Sequence, residues 1–168
     1  MRRVLIAIAA VLVAALAGGA AARLAGSERD AGHARVLRVV DGDTIIVRLG
    51  GRRERVRYIG IDTPESVAPD RPVECYGHAA AAENRRLVGG RTVTLSTDVE
   101  RRDRYGRLLA YVRVDGRLVN AELVRRGFAT TLEIAPNLRQ AGRLRALERQ
   151  ARRARRGLWA ACARRAGS

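Results

Sequence analysis

Three short stretches of the chain combine carboxylate and guanidinium side chains with turn-forming residues. They are Asp41-Gly42-Asp43-Thr44, the segment from Arg57 to Glu65, and Asp103-Arg104-Tyr105-Gly106-Arg107. Carboxylate oxygens suit a hard divalent cation, and planar guanidinium groups match the oxygens of a phosphate. Each stretch alone could be an ordinary turn or a surface ion pair. Their joint presence indicates one site assembled from three turns.

The charge balance favours an anionic partner. The 168 residues include 33 basic residues, all of them Arg, against 17 acids, which leaves a net charge of +16. Such a charge favours nucleic acid or anionic lipid. The alternative is an Arg-rich proteome bias on an ordinary soluble surface. The length predicts one domain with a short appendage.

The start of the chain has the pattern of an export segment. Arg2 and Arg3 precede an uncharged run, residues 4–22, that is rich in small and aliphatic side chains. Residues 1–22 therefore predict a signal peptide, with a retained membrane anchor as the alternative. Residues 23–33 show no periodicity and predict a flexible linker. We expect an exported protein, either secreted or held at the cell envelope.

Export decides how the two cysteines are interpreted. An oxidising compartment favours a disulfide between Cys75 and Cys162. The alternative is zinc, because Cys75 and His78 are three residues apart on a predicted helix. That site would need Cys162 and His33 as distant ligands.

Hydrophobic periodicity predicts an α+β fold. Alternating or β-branched segments predict strands at 36–40, 44–49, 53–59, 91–96 and 108–114. Apolar stripes and glycine stops predict helices at 77–88, 120–126 and 137–156, the second capped by Asn120. Three strands, a helix, two strands and two helices is the element order of a five-stranded OB-fold β-barrel with three helices.

Several motifs, in order and at compatible spacing, resemble the staphylococcal nuclease family across residues 34–162, with 163–168 left as a basic tail. The matching pieces are residues 39–44, 57–65, 74–77, 102–111 and 119–127. The resemblance implies an OB-fold nuclease that uses Ca2+ to hydrolyse DNA and RNA.

The resemblance also implies a role for each matched residue of the metal and catalytic groups. Asp43 and Asp62 match the carboxylate ligands of Ca2+, and Thr63 matches a residue that adds its backbone carbonyl. Glu65 matches the residue assigned as general base, which would take a proton from water. The two arginines that match those holding the scissile phosphate are Arg57 and Arg107.

Substrate contacts are expected around these residues. Arg104 and Tyr105 match residues near the terminal phosphate of the nucleotide. The family's two tyrosines beside the base have no aromatic counterpart in residues 131–137, so stacking by that route is lost. Arg71, in the loop after Glu65, is a candidate basic contact instead.

Two other functions fit parts of the sequence. A non-catalytic OB module would bind nucleic acid through its charge without cleaving it. An anchored envelope protein would retain residues 4–22 for membrane association and place its basic last helix on anionic lipid. For the nuclease, no protein partner is required and a monomer is expected.

Overall fold

The computed structural model describes residues 29–66 and 73–163. The predicted export segment 1–22, residues 23–28 of the predicted linker, Arg71, and the tail beyond Ala163 lie outside the described residues. Among the helices of the described part, none has the length and apolar character that crossing a bilayer requires.

The structure contains five long strands and three two-residue strands. The long strands are β1 (Arg29–Val39), β2 (Thr44–Leu49), β3 (Arg52–Tyr58), β5 (Thr92–Thr97) and β6 (Leu108–Val114). The short ones are β4 (Ile61–Asp62), β7 (Arg117–Leu118) and β8 (Thr130–Thr131).

The long strands close into a barrel. They follow the order β3-β2-β1-β5-β6 through antiparallel pairs, and β3 then pairs with β6 in parallel. In that closing pair Val56 lies opposite Leu108 and Arg57 opposite Leu109. The predicted five-stranded barrel is therefore confirmed.

Helices cover the barrel and complete the α+β class. They are α1 (Gly77–Val88), α2 (Val119–Arg126), α3 (Ala141–Arg153) and the four-residue α4 (Leu158–Ala161). The predicted three helices correspond to α1, α2 and α3, and α1 has the predicted bounds.

Alternation along the strands separates the core from the surface. Ile45 and Val47 of β2, Val56 of β3 and Leu95 of β5 are completely buried, and Leu123 of α2 packs with them. A barrel filled by β-branched and aliphatic side chains needs few aromatics, in agreement with the composition.

The predicted linker was wrong at its end, because residues 29–33 belong to β1. Gly32 lies opposite Leu95 and His33 opposite Thr94 in the antiparallel pair of β1 with β5. Backbone pairing holds this segment as a strand although its side chains show no apolar periodicity, because pairing with β5 satisfies its backbone groups.

The last helix was also predicted too long at both ends. It begins at Ala141 because the Asn137 side chain accepts a hydrogen bond from the Glu100 N–H and donates one to the Glu100 carbonyl, which ties this segment to the barrel. It ends at Arg153, and Arg155 takes a φ of 49° that an α-helix does not permit.

Asn120 was predicted to cap α2 but lies inside that helix. Its side chain is fully buried and accepts a hydrogen bond from the Val112 N–H at 3.0 Å while donating to the Ile59 carbonyl at 2.9 Å. One amide thus joins α2 to β6 and to the end of β3.

The predicted disulfide is confirmed. Cys75 and Cys162 are bonded, with their Cα atoms 5.9 Å apart and a sequence separation of 87. The bond joins the start of α1 to the end of α4. It also removes both cysteines from the alternative zinc site.

Replacing Asn120 by Ala should lower the free energy of unfolding by about 2–4 kcal/mol, because two buried backbone groups would lose their partners. Chemical denaturation measures the change. Thr92→Ala, at an exposed strand position, is the control and should shift stability by less than about 0.5 kcal/mol. Equal stability of the two variants would contradict this role of Asn120.

Candidate active site

The Asp41–Thr44 turn is held in place by hydrogen bonds from the barrel. The Asp41 side chain accepts a hydrogen bond from the Asp43 N–H at 2.9 Å. Tyr58 donates its hydroxyl proton to the amide oxygen of Asn84, and the Asn84 amide donates to the Asp41 carbonyl. The turn is thereby fixed to β3 and α1, and Asp43 has little freedom to move.

Arg57 connects the carboxylates of two separate turns. Its Nη1 lies 2.9 Å from Oδ2 of Asp43, and its Nη2 lies 2.7 Å from Oδ1 of Asp62. Nη1 also donates to the Ile61 carbonyl at 2.9 Å. The predicted metal carboxylates Asp43 and Asp62 are therefore neighbours across one guanidinium group.

Thr63 supports Asp43 directly. Its backbone N–H and its hydroxyl both donate to Oδ2 of Asp43, at 2.8 and 3.0 Å. Across residues 29–66 and 73–163, no three His, Cys, Asp or Glu side chains converge as a metal cluster. A cation at this place would thus rest on two carboxylates with further oxygens from backbone, water or substrate.

Burial makes Asp43 a weaker acid than an ordinary aspartate, because it raises its pKa. Only 4% of the residue is exposed. Burial raises the pKa of Asp43 to about 7, the charge of Arg57 opposes the rise, and the nearby carboxylates of Asp41 and Asp62 add to it. Arg57 therefore offsets only part of the effect of burial on Asp43.

Glu65 lies at the rim of the same region. Its backbone N–H donates to the Glu74 carboxylate at 3.0 Å, and its own Oε1 accepts from the Ser66 N–H at 3.0 Å. The Glu65 backbone packs directly against the start of α1, where a Cβ atom on Gly77 would collide with the Glu65 carbonyl oxygen. Gly77 is thus the residue that permits this position of Glu65.

Arg107 is oriented by the turn that contains it. Its Nε lies 2.6 Å from Oδ2 of Asp103, and its backbone N–H donates to the other carboxylate oxygen at 2.9 Å. The Tyr105 ring lies beneath two guanidinium groups, those of Arg104 and Arg107, at 4.8 and 5.4 Å. Arg104 also donates to the Tyr105 hydroxyl at 2.6 Å.

One pocket of about 240 Å³ gathers the predicted metal and catalytic residues. The residues that line it are Asp41, Asp43, Thr44, Arg57, Asp62, Thr63, Pro64, Glu65 and Arg107. We call it the acidic pocket. The β3–β6 register explains the convergence, because Arg57 lies opposite Leu109, two residues after Arg107.

A larger groove of about 570 Å³ continues from the acidic pocket and shares Arg57 and Arg107 with it. Arg104 and Tyr105 line this groove, as does an apolar wall of Leu132 and Ile134. Neither apolar residue was predicted as part of the site. Leu132 and Ile134 are two positions apart in residues 131–137, and this spacing is the pattern that could have indicated a shared apolar surface.

The fold and the pocket together define the class: a closed OB-type barrel with arginines and carboxylates gathered in one pocket. Comparison with known proteins then gives the family. The profile of the family described as staphylococcal nuclease homologue matches residues 55–161. The chain belongs to the staphylococcal nuclease family.

Individual relatives agree with this assignment. The chain is 38% identical to a thermonuclease of Staphylococcus hyicus over 125 residues, which are 74% of each chain. It is 45% identical to a thermonuclease of Staphylococcus intermedius over 102 residues, 61% of each chain. Endonuclease YncB of Bacillus subtilis is 40% identical over 124 residues, 73% of this chain and 59% of the relative. The predicted family and its nuclease class are confirmed.

Gly77→Ala should reduce the kcat of nuclease activity roughly 10- to 100-fold, because the added Cβ would move Glu65 in the pocket, and a displacement of about 1 Å can cost that much. The variant removes no functional group, so the loss would come from displacement of Glu65. Steady-state kinetics on single-stranded DNA, with thermal melting to verify folding, measure the effect.

Gly142→Ala is the matched control. A Cβ atom there meets only the end of the Arg145 side chain at 4.0 Å, so activity should be unchanged and α3 should gain about 0.5–1 kcal/mol. A folded Gly77→Ala protein with wild-type kcat would show that Glu65 does not depend on this close contact.

Proposed function

We propose that the chain is an exported, Ca2+-dependent endonuclease that hydrolyses phosphodiester bonds of DNA and RNA. The observation that carries the proposal is the acidic pocket, where Asp43, Asp62 and Glu65 meet Arg57 and Arg107. A pocket that combines oxygen ligands with two guanidinium groups suits a cation and a phosphate together.

The donor set fits Ca2+ in particular. Asp43 and Asp62 offer carboxylate oxygens, and Thr63 lies beside them with a backbone carbonyl to add. Hard oxygen ligands in an irregular arrangement suit Ca2+. A bound cation would also favour the charged form of Asp43, whose pKa is raised chiefly by burial. A bound Ca2+ would neutralise phosphate charge and orient the attacking water.

Arg57 and Arg107 would hold the phosphoryl oxygens. Both line the acidic pocket, one from β3 and one from the turn before β6. Their planar groups can each present two N–H donors to phosphate oxygens, a geometry that Lys does not reproduce. Donors aimed at developing charge typically lower the barrier by ~3–4 kcal/mol each.

Glu65 would act as the general base. Glu65 lines the acidic pocket, and its carboxylate would take a proton from a water that attacks phosphorus there. In the proposed reaction the water oxygen forms a bond to phosphorus as Glu65 takes one of its protons. The bond from phosphorus to the leaving oxygen breaks, its electron pair stays on that oxygen, and the oxygen takes a proton from solvent. Such proton transfer typically contributes ~10²–10⁴-fold in rate.

The groove beyond Arg57 and Arg107 would take the neighbouring nucleotide. Tyr105 and Arg104 line this groove and would contact a further phosphate, and Leu132 and Ile134 would offer apolar surface to a base. Aliphatic side chains provide contact area but not aromatic stacking, so we expect weak and unselective base binding. Arg71 is retained as a proposed contact from outside the described residues.

Export is part of the proposal and is supported by the Cys75–Cys162 bond. Disulfides persist in oxidising compartments and are rare where thiols are kept reduced. Closing a loop of this length stabilises the fold by roughly 4 kcal/mol in the chain-entropy model.

The direct test is digestion of single-stranded DNA and RNA with Ca2+ and with a chelator. Cleavage should require Ca2+, and Glu65→Gln and Arg107→Ala should each lose ~10²–10³-fold in kcat while remaining folded. Arg149→Gln, an exposed change on α3, is the control for charge and should keep wild-type activity.

Cleavage that persists in chelator would contradict the metal requirement. Binding of nucleic acid without any turnover, in wild type as in the variants, would support the non-catalytic module instead.

The groove generates a second prediction. Ile134→Tyr should place an aromatic ring on the base-binding wall and lower the Kd for a single-stranded oligonucleotide by roughly 5-fold or more, because stacking typically contributes ~1–3 kcal/mol per base. Ile134→Val is the matched control and should leave the Kd near wild type. Fluorescence anisotropy in chelator measures both, and unchanged binding of the Tyr variant would exclude base contact at this wall.

A further inference from the structure

The outward face of β3 carries a line of arginines that leads away from the acidic pocket. Arg53 and Arg55 are exposed and share this face with Arg57, while Val56 and Tyr58 point into the core. Successive outward residues of a strand are about 6.6 Å apart. The arginines therefore form a line of positive charge that ends at the proposed phosphate site.

Strand register widens this line into rows. Arg35 of β1 lies directly opposite Arg48 of β2, and Arg48 lies directly opposite Arg53 of β3. A second row places Arg38 and Arg55 on either side of Ile46. Like charges directly opposite each other destabilise a sheet, so the arginines of the first row (Arg35, Arg48 and Arg53) lower the stability of the protein alone.

In the described part of the chain, the arginines of the two rows have no acidic partner. Within residues 29–66 and 73–163, no ion pair or side-chain hydrogen bond involves the arginines of either row, which are Arg35, Arg38, Arg48, Arg53 and Arg55. Glu54, the acid of β3, lies on the other side of the strand and pairs with Arg102 at 3.0 Å.

The rows are continuous with the candidate active site. A cavity of about 350 Å³ is lined by Arg55, Tyr105, Gly106 and Arg107. Arg55 thus shares a concave surface with the arginine that lines the acidic pocket. A ligand held at Arg107 can pass over Arg55 and continue along the rows.

We infer that the two arginine rows on β1–β3 bind backbone phosphates of the same nucleic-acid strand whose scissile phosphate occupies the acidic pocket. The inference rests on the proposed function and extends it to an outer binding surface for long, single-stranded substrates. A flexible strand can follow a sheet into a concave pocket, whereas a flat lipid surface would cover the rows without entering the pocket.

The test compares two triple variants with the same loss of charge. Arg35→Gln/Arg48→Gln/Arg53→Gln removes one complete row, and Arg143→Gln/Arg149→Gln/Arg153→Gln removes three exposed arginines of α3. Fluorescence anisotropy measures the Kd for a single-stranded oligonucleotide of about 20 nucleotides, which exceeds the usual OB-fold site size. Chelator is present so that binding is measured without cleavage.

The row variant should bind roughly 10- to 50-fold more weakly near physiological salt, and its plot of log K against log salt should be shallower by about 2, as expected for three lost phosphate contacts. The α3 variant should lose much less. Equal losses in the two variants, or wild-type binding by the row variant, would overturn the inference.

Two further measurements distinguish a lipid ligand from nucleic acid, and a failure of this inference from a failure of the proposed function. Vesicles of phosphatidylserine and phosphatidylcholine test a lipid ligand: loss of vesicle binding with intact oligonucleotide binding by the row variant would overturn the nucleic-acid assignment. Hydrolysis of bis(p-nitrophenyl) phosphate by wild type with Ca2+ tests the proposed chemistry on a substrate too short to reach β1. Its failure together with failure to digest DNA would remove the proposed function and leave the binding result to stand separately.

Discussion

The site depends on one interaction, in which the Arg57 guanidinium is held between the carboxylates of Asp43 and Asp62. The three side chains come from the turn before β2, from β3 and from β4, so the interaction fixes the relative positions of those elements. It also sets the electrostatics, because burial of Asp43 disfavours its charge, while the Arg57 charge and the Thr63 hydrogen bond favour it.

Closure of the barrel places Arg107 beside the Arg57 ion pairs, so that all of these side chains line one pocket. Parallel pairing of β3 with β6 closes the barrel and brings residues near Arg57 beside residues near Arg107. A shift of one residue in this register would reverse the faces of the outward arginines. The buried amide of Asn120 resists such a shift, because it bonds both Val112 of β6 and Ile59 after β3.

Much of the fold could be predicted from the sequence, because the local patterns of apolar and turn-forming residues agreed with the tertiary structure. Strands β2 and β6 and helix α1 have the predicted bounds, because their apolar periodicity and turn residues agree. Residues 29–33 were missed as strand because pairing with β5 carries no apolar signal. Asn120 was misassigned because a cap and a buried bridge look alike in sequence, and only long-range contacts with Val112 and Ile59 distinguish them.

The same limit applies to the site. Charged turns indicated which residues could act together, but the joint hold of Arg57 on two carboxylates depends on barrel closure, which sequence spacing does not encode. The role of Gly77 beneath Glu65 and the apolar wall of Leu132 and Ile134 likewise depend on distant packing. Arginine rows on β1–β3 follow from register, a property of paired strands rather than of any one segment.

Calorimetric titration of Ca2+ tests the central claim most directly, because it measures the ion without requiring catalysis. The wild-type protein should bind one ion at the acidic pocket. Asp43→Asn and Asp62→Asn should each weaken that binding at least about 10-fold, whereas Asp115→Asn, at a highly exposed turn, should not. Equal Ca2+ affinity in the wild type and in both pocket variants would contradict the account.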